Sequence, residues 1–117
     1  MPKNFDRISQ VNETIRLSLA KRIPHILGLD PSEIITITRV QTSRDLGHAK
    51  IFVTMFPDNK QKFLFERLTK RSKELRYELA QETSLFRVPD LSFQIDTTEK
   101  NAQHIEALLD SLNNAGS

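Results

Sequence analysis

At 117 residues, 38% hydrophobic and 27% charged, the chain is sized for one soluble domain with a modest core, too small to build the walls of a large substrate cavity as well. It has no cysteine, which excludes disulfides, thiolate metal sites and cysteine nucleophiles, and no apolar run approaches the length of a membrane span. The net charge of +2 conceals a division, because residues 60–76 carry seven basic and two acidic side chains while residues 90–117 carry one basic and five acidic.

The first residues, Met1 to Arg7, lead into an amphipathic pattern and not a continuous apolar core, which argues against a secretory signal. Ile8, Val11, Ile15, Leu19, Ile23 and Ile26 recur at helical spacing and predict a helix from about Phe5 to about Leu27. Pro24 lacks an N–H and clashes with the preceding turn, so this helix is expected to kink or end near Ile23. A turn over Gly28 to Ser32 precedes a β-branched strand from about Ile34 to Gln41. A second strand follows from about His48 to Phe56, with Ala49, Ile51, Val53 and Met55 on one face and Lys50, Phe52, Thr54 and Phe56 on the other. The intervening Thr42-Ser43-Arg44-Asp45-Leu46-Gly47 permits antiparallel pairing of the two.

Pro57-Asp58-Asn59 closes the sheet and offers a helix cap. Leu64, Leu68, Leu75 and Leu79 then share one helical face up to about Gln81. Leu91 to Asp96 alternates as a third strand, expected beside the first. Asp96-Thr97-Thr98 can cap a last helix to about Asn113, marked by Ala102, Ile105, Leu108, Leu109 and Leu112, and residues 114–117 should fray. The order predicts an α+β sandwich of two layers with helices on one face of a three-stranded sheet.

The positive charge falls on the helical segment after the second strand. Lys62, Lys70 and Lys73 lie opposite its leucines, with Arg67 and Arg76 on the flanks. A cationic face opposite a core face is what phosphate contact requires, and the same pattern equally fits a solvated face laced with pairs such as Glu66–Lys70. Arg71 falls near the apolar edge of a straight helix. A bend around Arg71-Ser72-Lys73 would swing it outward, and a serine bonded back to a carbonyl can supply one. Phe63, Phe65 and Tyr77 stand near this segment and are candidates for base stacking, with packing the default for the phenylalanines.

Elsewhere the chemistry is sparse. His25, His48 and His104 sit in separate elements without metal-ligand spacing, and three glycines far apart make no phosphate loop. Ser43, Arg44 and Asp45 read as turn residues bonding their own backbone, and Asp90, Asp96 and Glu99 as strand and helix starts. No base oriented by a third group is evident, so no enzymatic activity and no cofactor is expected.

Thr36-Ile37-Thr38-Arg39-Val40 followed by Thr42-Ser43-Arg44-Asp45-Leu46-Gly47-His48-Ala49-Lys50-Ile51-Phe52-Val53-Thr54, together with Leu85-Phe86-Arg87-Val88-Pro89-Asp90-Leu91-Ser92-Phe93, resembles the bacterial ribosome-binding factor A family over roughly Arg7 to Asp96. The resemblance implies a KH-like fold of type II, ordered α-β-β-α-kink-α-β, over residues 1–97. Residues 98–117 would form a C-terminal helix and frayed tail packed on or beside it. It also implies a cytoplasmic, cold-adaptation-linked assembly factor. Its partners would be the immature small (30S) ribosomal subunit and its 16S rRNA during late maturation and processing. The family's Ala-x-Gly bend falls on Arg71-Ser72-Lys73, where neither small residue is kept and the added charge implies side-chain contact to phosphate.

On this reading Lys62, Arg67, Lys70, Arg71, Ser72, Lys73 and Arg76 form the RNA-binding site. Arg44, Lys50, Arg87 and Arg39 are secondary, and Arg16, Lys21 and Arg22 could widen the footprint. A monomer that acts by binding, without a metal or small-molecule substrate, is the expectation. The alternative is a KH-like protein-interaction module that ignores RNA.

Overall fold

The computed structural model describes residues 3–85 and 87–98. Its elements run α1 (Lys3–Leu27), β1 (Ile34–Thr42), β2 (His48–Phe56), α2 (Gln61–Lys70), α3 (Ser72–Glu82) and β3 (Asp90–Ile95), with a 3-10 turn over Asp58–Lys60 before α2. The turn and α2 start without side-chain caps, so Asp58 and Asn59 do not cap by side chain as the sequence offered.

Helix α1 does not end at Ile23. It continues through Pro24 to Leu27, and Ala20 and Pro24 both face solvent, so the carbonyl that proline leaves unpaired lies on the wet side. The helix stops one turn later because Gly28 adopts a left-handed φ of 62°. Gly28 N–H then bonds the His25 carbonyl at 3.3 Å and Leu29 N–H the Pro24 carbonyl at 3.0 Å, the paired bonds of a Schellman stop.

The sheet has the order β1-β2-β3. Strand β1 pairs antiparallel with β2, with a bulge between Ile37 and Arg39 that keeps both Ile37 and Val40 on the inner face. Strand β3 lies parallel to β2, Asp90 opposite His48 and Ile95 opposite Val53. The expectation that β3 joins β1 is therefore corrected. Asp90 N–H bonds the Gly47 carbonyl at 3.0 Å, which starts β3 beside the start of β2, and the α2–α3 crossover is the connection a parallel neighbour requires.

All three helices cover the same side. Ile15 and Leu19 of α1, Leu64 and Leu68 of α2, and Leu75 and Leu79 of α3 have no solvent exposure, and they pack with Ala49, Ile51 and Val53 of β2 in one core. The opposite face of the sheet carries Ile34, Thr36, Arg39, Lys50, Phe52 and Phe56, and Arg39 lies over the Phe52 ring at 4.2 Å. The predicted helix over 98–113 lies outside the described residues beyond Thr98. Its proposed cap is present, since Thr98 N–H bonds the Asp96 carboxylate at 2.9 Å.

Asp96 also accepts a hydrogen bond from the Thr38 hydroxyl. That bond chiefly, then the Thr98 N–H, holds its carboxyl below the ordinary aspartate range. A lowered folded pKa means that the contribution to stability is present at neutral pH and is lost as pH falls through the lowered value. Asp96→Asn should therefore be less stable than the parent at pH 7, and the gap should close below about pH 4. Urea unfolding of both chains across that range checks it, and a gap that stays constant with pH counts against the role given to the carboxylate.

Candidate nucleic-acid interface

The bend predicted at Arg71-Ser72-Lys73 is present and divides one helical segment into α2 and α3. Arg71 sits at φ −99° and ψ 9°, between the helical and extended regions. Its N–H is shared between the carbonyls of Arg67 (3.3 Å) and Leu68 (3.1 Å), and the helix resumes with Leu75 N–H on the Arg71 carbonyl at 2.9 Å. The Arg71 side chain is swung out to solvent, where it pairs with Glu74. The nearby hydroxyl-to-carbonyl bond is made by Thr69 to Phe65 at 2.9 Å, and Ser72 is half-buried.

The bend leaves the leucines of both helices on the core and divides the cations into two groups. Lys62, Lys70 and Lys73 are exposed and have no ion-pair partner among the described residues. Glu66 and Lys70, one turn apart, do not pair. The arginines hold the fold together. Arg67 donates to the Leu27 carbonyl, approaches Glu33 at 3.8 Å and covers the Phe63 ring at 5.4 Å. Arg76 donates to the carbonyls of Val88 (2.7 Å) and Pro89 (3.2 Å) and pairs with Asp90 at 3.4 Å. Glu33 and Asp90 thus lower the +5 of residues 60–76 to +3, and the three lysines are its open cations.

Glu33 was not singled out by the sequence. Its carboxylate is buried, accepts the Asp30 N–H at 2.8 Å, and receives Lys60 at 3.5 Å as well as Arg67. It locks the turn before β1 to the start of α2. Glu33→Gln should cost about 1–3 kcal/mol, because it leaves Arg67 partly buried without its counter-charge. Denaturant midpoints would show this, and an unchanged midpoint would remove Glu33 from that role.

The secondary candidates fall in two places. Arg87 donates to the Asp45 carbonyl at 3.3 Å, so it and Arg44 belong to the turn between β1 and β2, and Arg76 reaches the same 88–90 segment from α3. The turn itself is held as expected: Ser43 Oγ and Gly47 N–H both bond the Asp45 carboxylate, at 2.7 and 3.0 Å. These two bonds, the hydroxyl first, keep the Asp45 carboxyl below its usual value. Lys50 and Arg39 are on the outer face of the sheet, away from the helices, so the fold does not bring them to the bend. On α1, Arg16 pairs with Glu13, while Arg22 and Lys21 pair with Glu82 at 2.7 and 3.9 Å.

Of the aromatics, Phe65 packs on the core, but Phe63 (55% exposed) and Tyr77 (62%) stand open on α2 and α3, against the packing default for Phe63. Helices α2 and α3 thus expose both point charges and flat rings, the combination that meets phosphates and bases. No group of three or more metal-ligating side chains converges among the described residues.

A three-stranded mixed sheet with α1, α2 and α3 on one face, in the order α-β-β-α-bend-α-β, is the α+β, KH-like arrangement expected from the sequence. A sequence model of the family described as Ribosome-binding factor A matches residues 7–109, and the chain belongs to that family. The ribosome-binding factor A of Alkalilimnicola ehrlichii is 36% identical over 112 residues, covering 94% of this chain and 86% of that protein. That of Caldicellulosiruptor bescii is 32% identical over 114 residues, covering 93% and 86%.

Among solved structures, the crystal structure of ribosome-binding factor A from Thermus thermophilus matches with a TM-score of 0.64 at 21% identity, over 75% of this chain and 94% of that one. A Thermus thermophilus RbfA homology model fitted into a cryo-EM map of a 30S complex matches with a TM-score of 0.62 at 22% identity, over 73% and 90%. At these identities the likeness is one of fold.

Proposed function

We propose that this chain binds the small ribosomal subunit through its 16S rRNA during late maturation, as a cytoplasmic monomer that acts by occupancy and performs no chemistry. The observation that carries the reading is the set of exposed lysines on α2 and α3 with no ion pair among the described residues, Lys62, Lys70 and Lys73. Phosphates would be met by these lysines and by Arg71, whose pair with Glu74 is exposed and easily exchanged for a phosphate. Phe63 and Tyr77 would stack on unpaired bases, and Arg44 and Arg87 would extend the footprint along the turn before β2. Arg67 and Arg76 would act indirectly, by holding α2 and α3 in place. Family membership and the 30S complex of the Thermus thermophilus neighbour support the choice of partner.

Co-sedimentation with purified small subunits, large subunits and whole ribosomes, at low and moderate salt, tests the reading. The expected result is pelleting selective for small subunits that weakens as salt rises. Equal pelleting with large subunits, or none with any particle, would overturn it.

A further inference from the structure

We propose that the bulge in β1 builds a second contact site, on the outer face of the sheet, for an unpaired single-stranded segment of RNA. The site rests on the reading that the partner is rRNA, and it adds a surface on the side of the sheet opposite the helices.

The bulge decides where an arginine points. Ile35 and Ile37 alternate toward the core, and unbroken alternation would turn Arg39 inward with them. The bulge between Ile37 and Arg39 adds one residue, Thr38, so that Arg39 faces outward opposite Phe52 and Val40 takes the core position. Thr38 is fastened in place: its hydroxyl donates to the Asp96 carboxylate and lies 3.3 Å from the Phe52 carbonyl. Arg39 then rests over the Phe52 ring at 4.2 Å, exposed and without an ion pair among the described residues. A guanidinium already positioned on a ring loses less freedom when it takes a phosphate, and its open side can carry a base.

The rest of the face has the same chemistry. Strand β2 directs Lys50, Phe52, Thr54 and Phe56 outward at intervals of about 7 Å, so cation, ring, hydroxyl and ring stand in a line of about 20 Å. Phe56 is 60% exposed, and Ile34 opposite it is 52% exposed. Lys50, like Arg39, has no ion pair among the described residues. The two carboxylates that β3 and its end bring to this side are both engaged. Asp96 is 8% exposed and holds Thr38 and the Thr98 N–H, and Asp90 pairs with Arg76 at 3.4 Å. Open cations beside open rings complement a polyanion that carries flat bases. A second copy of the chain suits the face less, because a two-fold contact would set Arg39 and Lys50 against their own copies. Rings meet bases by their faces, and those faces are free only where a strand is unpaired and unstacked, so the ligand is single-stranded.

The test is a titration of the isotope-labelled full chain, followed through its backbone amides. One ligand is a short RNA of adenosine and cytidine, which cannot pair with itself, and the other is an RNA duplex of the same length. The single strand should shift amides of β1 and β2 around Arg39, Lys50, Phe52 and Phe56, and the duplex should not. Arg39→Ala and Phe56→Ala should each weaken single-strand binding by about 10-fold. Both side chains are exposed, so the remaining spectrum should be unchanged in either variant. Single-strand shifts confined to α2 and α3, equal shifts of the sheet by the duplex, or full affinity in either variant would each overturn the proposal. Shifts of the sheet by RNA-free small-subunit proteins and not by the single strand would assign the face to a protein and overturn it as well. Co-sedimentation with small subunits separates this site from the proposed function. A chain that pellets with small subunits while the single strand leaves the sheet unshifted refutes the site alone, and loss of both refutes both.

Discussion

Reversing both Lys70 and Lys73 to glutamate is expected to weaken binding to small ribosomal subunits by about 10- to 100-fold at moderate salt, with the thermal midpoint unmoved. Both side chains are exposed and make no ion pair among the described residues, so the substitutions remove nothing that holds the fold. Surface changes of this kind shift stability by no more than about 0.5 kcal/mol. If both lysines meet phosphates, the dependence of log affinity on log salt should flatten by about two. Arg76→Ala is the informative contrast, because Arg76 holds Val88, Pro89 and Asp90, and its loss should lower stability along with any effect on binding. Full affinity in a folded Lys70→Glu, Lys73→Glu chain would take the bend out of the interface.

The largest loss of stability is expected for Leu68→Ala. Leu68 ends the buried stripe of α2 just before the bend, and Leu75 resumes it in α3; both are fully buried in the one core that joins α1, the sheet and the bent helix. Truncation removes three carbons from a site walled by β2 and three helices that cannot all collapse onto the gap. The cost should be about 2–5 kcal/mol, against a total stability of about 5–15 kcal/mol for a domain of this kind. That corresponds to a fall of roughly 10 °C or more in thermal midpoint. Tyr77→Ala, one turn along α3 but 62% exposed, should change it little. A Leu68→Ala chain as stable as the Tyr77→Ala chain would contradict the packing described for the bend.

The helices and strands were legible because each has a strong period. The leucines of α2 and α3 and the alternation of β2 face the core as their spacing required. The bend was legible through Arg71, a charge that a straight helix would have turned toward the core. The partner of β3 was misplaced for a definite reason. Alternation in Leu91 to Ile95 says which face is buried and not which edge is joined. The edge depends on contacts such as Asp90 to Gly47, whose residues are far apart in the chain. Helix α1 reaches Leu27 as its periodicity predicted and does not end near Ile23, one of the two outcomes expected at Pro24, because the cost of proline depends on whether the freed carbonyl faces solvent.

The binding surface was half legible. A charge sum of +5 located the segment, but it counted Arg67 and Arg76 as available when Leu27, Glu33, Val88 and Asp90 engage them. Lys50, expected as a secondary contact, lies on the outer face of the sheet, away from the bend. By itself the sequence determined the α+β class, the element boundaries, the bend and its family, because these follow from local periodicity, backbone chemistry and residue order. Only the tertiary structure decided the strand order, the burial of Glu33 and the division of cations into structural arginines and open lysines. Those depend on which distant groups meet, and an ion pair or a ladder bond is set by proximity in space.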